Sequence, residues 1–128
     1  MPKIDIACII DDDPIFVFGT KRIMGIANFC ESFMIFRNGK EAYDKLKAII
    51  TADEKLPDLI LLDLNMPIWD GWQFLDEFIK IPNVNPITIY IMTSSVDPED
   101  IEKAKTYDAV SNYLIKPITM AELKKLME

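Results

Sequence analysis

The chain has 128 residues and a mass of 14.7 kDa, which favours a single domain, since domains cluster at roughly 100–150 residues. Its residues are 50% hydrophobic and 27% charged, as in ordinary globular proteins and unlike disordered chains. A net charge of -7 argues against binding to nucleic acid, which requires clustered basic residues. No apolar run reaches the roughly 20 residues that span a bilayer, and no signal-peptide pattern is present. We therefore expect one cytoplasmic domain over residues 1–128, without nucleic acid contact or membrane insertion.

Short apolar runs alternate with longer amphipathic segments along the whole chain. In chain order, the short runs predict five buried strands over Ile4–Ile10, Phe33–Phe36, Leu59–Leu62, Ile87–Met92 and Asn112–Ile115. The segments between and after them predict five helices over Pro14–Asn28, Gly39–Ile50, Gly71–Lys80, Pro98–Tyr107 and Thr119 to the C-terminus. The last helix is only about ten residues long, and a truncated C-terminal helix is one reading of that length.

Regular alternation of strands and helices predicts the α/β class, in which right-handed crossovers build a parallel sheet covered by helices on both faces. Five strands favour the flavodoxin-like, doubly wound sandwich with strand order 2-1-3-4-5. The two cysteines, Cys8 and Cys30, form no CxxC pair, and the chain has no histidine. We expect both cysteines to be reduced and buried, and no histidine base or histidine metal ligand in this chain.

Polar residues follow four of the five predicted strands at the point where each strand ends. Asp11 and Asp12 follow the first strand, Asp63 the third, Thr93 the fourth and Lys116 the fifth. The carboxyl ends of parallel strands meet at one edge of the sheet, so these side chains should converge on one crevice. The first and third strands are neighbours in the predicted order. The carboxylates that follow them should therefore lie closest together.

Clustered carboxylates repel one another unless a cation lies between them. Without His or Cys nearby, a hard cation with oxygen ligands is favoured, and Mg²⁺ fits best because it needs only one or two carboxylates in addition to waters and phosphate oxygens. Three carboxylates, one Mg²⁺ and the Lys116 ammonium would sum to zero charge, which leaves the crevice able to admit an anion. We expect the anion to be a phosphoryl group, and a carboxylate held in line with it can form an aspartyl phosphate.

Four motifs in this order resemble the receiver domain of two-component response regulators, and the resemblance covers nearly the whole chain. They are IIDDDP over Ile9–Pro14, LLDLNMPIWDG over Leu61–Gly71, IMTSS over Ile91–Ser95 and YLIKP over Tyr113–Pro117. The resemblance implies that Asp63 is the phosphoacceptor and that Asp11 and Asp12 hold Mg²⁺ together with Asp63 and the backbone carbonyl of Asn65.

The same resemblance implies roles for the remaining motif residues. Thr93 would be the hydroxyl residue that moves toward the phosphoryl group, Lys116 would pair with that group, and Tyr113 would swing inward as Thr93 moves. Asn65 and Ser95 would tune the lifetime of the phosphorylated state. The small Ser94 would leave the phosphate open to its donor, and Pro117 would occupy a position that commonly forms a cis peptide bond. The resemblance thus implies that the chemistry depends on Asp63, Lys116 and Thr93 and the switch on Thr93 and Tyr113. It implies that Asn65 and Ser95 tune the rate, and that the metal is held by Asp11, Asp12, Asp63 and Asn65.

Each feature also has an ordinary structural interpretation when it is taken alone. The acidic run before Pro14 could only cap a helix, and Asp63 could begin a turn. Thr93 or Ser95 could cap the fourth helix, Lys116 could be solvated, and Tyr113 could be a core aromatic. Trp69 and Trp72 are expected to be packing residues or part of a partner surface.

Three functions remain open from the sequence. The first is a regulatory switch, not an enzyme, that is phosphorylated by a sensor histidine kinase or a His-containing phosphotransfer protein and then docks onto an unknown target protein. The second is a phosphorelay intermediate that passes the group to another histidine. The third is a phosphatase of the haloacid dehalogenase type, which requires Asp-x-Asp, whereas Asn65 occupies the second position here.

Overall fold

The computed structural model describes residues 4–82, 87–116 and 118–127, which form a parallel sheet flanked by helices. The strands are β1 (Ile4–Ile10), β2 (Cys30–Phe36), β3 (Leu59–Leu62), β4 (Thr88–Thr93) and β5 (Val110–Ile115). The helices are α1 (Pro14–Ile26), α2 (Gly39–Thr51), α3 (Gly71–Phe78), α4 (Pro98–Lys105) and α5 (Met120–Met127). The strand order is β2-β1-β3-β4-β5 with every pairing parallel, which confirms the predicted flavodoxin-like architecture.

Two apolar cores lie on opposite faces of the sheet. Alternate residues of a strand point to opposite faces, so Ile10 of β1 joins one core and Ile9 joins the other. The first core packs α2, α3 and α4 against the sheet, and the second packs α1 and α5. All four residues of β3 are buried, as expected for a central parallel strand covered on both faces.

Both edge strands begin earlier than predicted. β2 begins at Cys30, three residues before the predicted start, and β5 begins at Val110, two residues before it. Both extensions contain polar or charged residues, so a search for apolar runs does not detect them as part of a strand. Parallel pairing with the neighbouring strand holds them in place, for example Ile4 opposite Cys30.

α1 ends two residues before its predicted end. Asn28 adopts a left-handed conformation with φ of 57°, which Asn tolerates better than most residues. The amide of Phe29 donates to the carbonyl of Met24 at 2.9 Å, and the amide of Asn28 donates to that of Gly25 at 3.1 Å. These two bonds satisfy the last carbonyls of the helix as a Schellman motif.

Both tryptophans pack against tyrosines. The Trp72 ring stacks on Tyr107 with centroids 5.5 Å apart, and the Trp69 ring lies 5.3 Å from that of Tyr43. Within the described part of the chain, no helix has the length and apolar character needed to cross a membrane.

Candidate functional site

Backbone hydrogen bonds continue the sheet by one residue beyond three of its strands. The amide of Asp11 donates to the carbonyl of Phe36 at 3.0 Å, and the amide of Asp63 donates to that of Ile10 at 2.9 Å. The amide of Lys116 donates to the carbonyl of Thr93 at 2.8 Å. Asp11, Asp63 and Lys116 are therefore held at one edge by the sheet itself, as the strand pattern predicted.

Asp11, Asp12 and Asp63 converge, with one carboxylate oxygen of each lying within 4.8 Å of the others. Asp11 is 2% exposed and Asp63 is 6% exposed, whereas Asp12 faces solvent. The Oδ1 atom of Asp11 accepts from the amide of Asp13 at 2.9 Å, and the Oδ1 atom of Asp63 accepts from the amide of Leu64 at 2.8 Å. Carboxylate oxygens are hard donors of the kind that Mg²⁺ prefers.

Asp13, the third residue of the acidic run, has a different position. It is the N-cap of α1, and its carboxylate accepts from the amide of Ile15 at 3.0 Å. Pro14 occupies the first turn, where a missing amide hydrogen has no consequence. The helix-capping interpretation of the acidic run is therefore correct for Asp13, and the carboxylates of Asp11 and Asp12 join Asp63 instead.

Lys116 lies inside the cluster. Its ammonium donates to Oδ2 of Asp11 at 2.6 Å and lies 3.7 Å from Oδ2 of Asp63. The ring of Phe16 covers it, with Nζ 4.0 Å from the ring centroid, and the lysine side chain is only 14% exposed. The interpretation of Lys116 as a solvated lysine is therefore wrong. Sequence reasoning also missed Phe16, whose cation–π contact with Lys116 stabilises a partly desolvated charge.

Burial raises the pKa of the Asp11 carboxyl, and the hydrogen bond from Lys116 opposes that shift. The negative charge of the neighbouring Asp63 also acts to raise this pKa. With three carboxylates and one ammonium, the cluster keeps an excess of negative charge. A divalent cation would offset this excess.

Thr93, Ser95 and Tyr113 form a hydrogen-bonded group beside the cluster. Thr93 is the last residue of β4 and is fully buried, and its hydroxyl oxygen accepts from the amide of Ser95 at 3.3 Å. The partly buried Tyr113 donates its hydroxyl hydrogen to the carbonyl of Ser95 at 3.0 Å, and burial raises its pKa. The cap of α4 is Asp97, so the interpretation of Thr93 or Ser95 as that cap is wrong.

Gly71 fixes the loop after Asp63 by a close backbone approach that sequence reasoning did not assign. Its amide donates to the carbonyl of Leu64 at 2.9 Å. A Cβ atom at this position would lie 2.5 Å from the carbonyl oxygen of Asp63 and 2.9 Å from Cα of Leu64. The Asp-Gly pair that ends the LLDLNMPIWDG motif was the available signal, since glycine is used where backbones approach closely.

The predicted roles of three further residues stay predictions. Asn65 and Ser94 are exposed beside the cluster, and the role of the Asn65 carbonyl as a metal ligand stays a prediction. Pro117 lies outside the described residues, so its peptide geometry stays a prediction as well.

The sequence model of the response regulator receiver domain matches residues 7–128. Over 92 residues the chain is 33% identical to the probable methanogenesis regulatory protein FilR2 of Methanothrix harundinacea, a match that covers 72% of this chain and 59% of that protein. The two component response regulator from Cytophaga hutchinsonii has a similar structure, with a TM-score of 0.86 at 33% identity, covering 96% of this chain and 93% of that one. The chain therefore belongs to the response regulator receiver domain family.

The receiver domain of sensor histidine kinase PA1611 from Pseudomonas aeruginosa shares the fold, with a TM-score of 0.78 at 19% identity, covering 96% of this chain and 93% of that one. Its structure contains a magnesium ion coordinated in the active site cleft. The chain spans at most 59% of the curated relatives that it matches first. Receiver domains are regulatory phosphoacceptors in two-component signalling, phosphorylated by histidine kinases and acting on downstream effectors.

Proposed function

We propose that this chain is a phosphorylation-dependent switch in which Asp63 accepts a phosphoryl group from a phosphohistidine of a partner protein, with Mg²⁺ bound alongside. The observation that carries the proposal is the convergence of Asp11, Asp12 and Asp63 within 4.8 Å, with Lys116 hydrogen-bonded inside the cluster. The donor is a sensor histidine kinase or a His-containing phosphotransfer protein, since this chain has no histidine. We place the reaction in the cytoplasm.

Asp63 is favoured over its neighbours as the acceptor by its position. Its Oδ1 atom is occupied by the amide of Leu64, while Oδ2 lies toward Lys116 at 3.7 Å. Asp11 already receives the short hydrogen bond from Lys116, and Asp12 is exposed. Asp63 therefore combines a fixed carboxylate with an oxygen that faces the Lys116 ammonium.

The donor set fits Mg²⁺, as the related receiver domain that contains a coordinated magnesium ion also suggests. Asp11, Asp12, Asp63 and the backbone carbonyl of Asn65 would hold it, with waters completing the shell. When bound, Mg²⁺ offsets the negative charge on the phosphoryl oxygens.

In the transfer, an oxygen of Asp63 forms a new bond to phosphorus while the phosphorus–nitrogen bond of the donor breaks. The electron pair of that bond returns to the imidazole of the donor. Lys116 binds a phosphoryl oxygen and stabilises its charge through a second N–H of its ammonium, which has three donors and uses one of them on Asp11. Such a reaction needs mainly positioning and charge stabilisation, which this rigid edge of the sheet supplies.

The phosphoryl group then changes the partner-binding surface through Thr93 and Tyr113. The Thr93 hydroxyl binds a phosphoryl oxygen, and Ser95, whose amide is bonded to that hydroxyl, moves with it. Tyr113 follows because its hydroxyl is bonded to the Ser95 carbonyl. As a result, the face made by α4, β5 and α5 changes the relative populations of its two conformations. Asn65 and Ser95 set how long the phosphorylated state lasts.

The test compares the wild-type protein with two variants by their labelling with acetyl phosphate in the presence of Mg²⁺. Asp63→Asn removes the nucleophile and keeps the shape of the side chain, so labelling should be lost. Asp53→Asn is the matched control: Asp53 is exposed, lies after the C-terminus of α2, and has a left-handed φ of 55° that Asn tolerates. Labelling of Asp63→Asn at the wild-type level would overturn the assignment.

The two other functions are distinguished by separate assays. A phosphorelay intermediate would return its label rapidly to a His-containing phosphotransfer protein, whereas an output switch would retain it and bind a target. A phosphatase of the haloacid dehalogenase type would turn over many equivalents of a small phosphomonoester, and such turnover would contradict the switch.

A further inference from the structure

The helix α4 is held to the rest of the protein by few apolar contacts. Among its eight residues Ala104 is the one that is buried, whereas α3, of equal length, buries Gly71, Phe74, Leu75 and Phe78. Elements with little buried apolar surface have low local stability and respond to small changes in their polar contacts. The position of α4 should therefore depend strongly on the hydrogen bonds at its ends.

The side chain of Ser95, in the loop after β4, is hydrogen-bonded to a side chain in the first turn of α4. The Ser95 hydroxyl donates to Oδ2 of Asp100 at 2.6 Å, and both residues are partly buried. The Ser95 hydroxyl oxygen in turn accepts from the amide of Asp97, the N-cap residue, at 3.3 Å. A hydrogen bond to a carboxylate is about twice as strong as one between neutral groups.

Ser95 is also the residue that contacts both Thr93 and Tyr113. Its amide donates to the Thr93 hydroxyl at 3.3 Å, and its carbonyl accepts from the Tyr113 hydroxyl at 3.0 Å. The backbone of Ser95 therefore connects the two predicted switch residues, while its side chain is fixed by Asp100. A group that fixes Ser95 also fixes the acceptor to which Tyr113 is bonded.

We propose that Asp100 is a positioning residue of the switch: its carboxylate holds Ser95 against the first turn of α4 and so stabilises the inward position of Tyr113. The hydrogen bond from Tyr113 to the Ser95 carbonyl requires that carbonyl to stay in place. Loss of the Asp100 carboxylate frees the loop, and Tyr113 moves to a more exposed position. Asp100 thus connects α4 to the Thr93–Tyr113 pair.

A generic role for Asp100 is a favourable charge at a helix N-terminus, which any acidic residue of the first turn provides. Glu99 occupies the neighbouring position of the same turn, is exposed, and carries the same charge. Substitutions can therefore distinguish the charge of Asp100 at the helix N-terminus from its role as the acceptor for Ser95. Glu99→Gln removes a charge alone, Asp100→Ala removes the charge and the acceptor, and Asp100→Asn removes the charge but keeps an oxygen that can accept from Ser95.

The test uses the unmodified protein, with the four tyrosines replaced by 3-fluorotyrosine and observed by fluorine NMR. The resonance of Tyr113 is identified by its loss in Tyr113→Phe. In Asp100→Ala it should shift toward that of free fluorotyrosine, while Asp100→Asn and Glu99→Gln should keep the wild-type position. Ser95→Ala should reproduce the Asp100→Ala shift, which guards against a folding defect specific to one variant.

An unshifted Tyr113 resonance in both Asp100→Ala and Ser95→Ala would overturn the proposal, as would an equal shift in Glu99→Gln. This arm needs no phosphodonor and no cation, so its outcome is independent of the proposed acceptor role of Asp63. Thermal unfolding of each variant confirms that the spectra report folded protein.

A second arm rests on the proposed function and measures binding of beryllofluoride, a phosphoryl mimic, in the presence of Mg²⁺. Coupling between sites is reciprocal, so a variant that releases Tyr113 should also bind the mimic less well. We expect about fivefold weaker binding for Asp100→Ala, the effect of one partly exposed hydrogen bond, and recovery in Asp100→Asn. Tighter binding in Asp100→Ala, as simple removal of a negative charge would produce, would overturn the coupling.

Discussion

Replacement of Gly71 by Ala tests the close backbone approach that supports Asp63. The added Cβ would lie 2.5 Å from the carbonyl oxygen of Asp63 and 2.9 Å from Cα of Leu64. Both neighbours are backbone atoms of a buried segment, so they cannot move aside as a flexible side chain would. Overpacking of this kind costs about 1–3 kcal/mol, and the rigid surroundings place this case at the upper end.

The cost of overpacking is partly offset by the higher helix propensity of Ala. Ala is a better helix former than Gly by up to about 1 kcal/mol, and Gly71 is the first residue of α3. The net loss in the free energy of unfolding should therefore be about 2 kcal/mol. Displacement of the Asp63 backbone should also weaken Mg²⁺ binding, because the carboxylate would leave its position near Asp11 and Asp12.

Urea denaturation of the two proteins measures the difference, with Gly19→Ala as the matched control. Gly19 lies inside α1, and a Cβ there would meet nothing within 4 Å. Gly19→Ala should therefore stabilise the protein by about 0.5–1 kcal/mol. A Gly71→Ala variant within about 0.5 kcal/mol of wild type, a typical range for surface substitutions, would refute the packing argument.

Two further predictions concern α3 and its contact with Tyr107. Asp70 caps α3 in a capping box with Gln73, so Asp70→Ala should lower the free energy of unfolding by about 1 kcal/mol, while Asp70→Ser should retain most of it. Equal losses in both variants in urea denaturation would contradict the cap. Burial, followed by the hydrogen bond to Asp76, raises the pKa of Tyr107 from 10.0 to about 12. A pKa raised on folding gives stabilisation that is present below pH 10 and is lost as the pH rises toward 12. Phenolate absorbance should show one ionisation near pH 12 that Tyr107→Phe lacks, and an unchanged titration curve would count against the assignment.

The convergence of the acidic residues was predictable because it depends on topology alone. Parallel strands end at the same edge, and five alternating strands favour the order 2-1-3-4-5, which the structure has. Because β1 and β3 are neighbours, the residues after Ile10 and Leu62 lie close together, independently of how the surrounding side chains pack. The family match over residues 7–128 agrees with this reading.

The contacts around Lys116 and Ser95 were not predictable in the same way. The approach of Phe16 to Lys116 depends on how α1 lies against the end of β5, and the bond from Ser95 to Asp100 depends on side-chain rotamers in a loop. Apolar periodicity contains no information on either. The early starts of β2 and β5 escaped prediction for a related reason, since Glu31, Ser32 and Ser111 interrupt the apolar pattern and these extensions are paired with the neighbouring strands.

The central claim is that Asp63 itself forms the acyl phosphate. The most direct test is to treat the wild-type protein with acetyl phosphate and Mg²⁺, reduce the acyl phosphate with borohydride, and locate the reduced residue by peptide mass spectrometry. We predict modification at Asp63 alone, dependent on the divalent cation. Modification at Asp11, Asp12 or Asp13 in its place, or labelling that persists unchanged when the cation is chelated, would contradict the account.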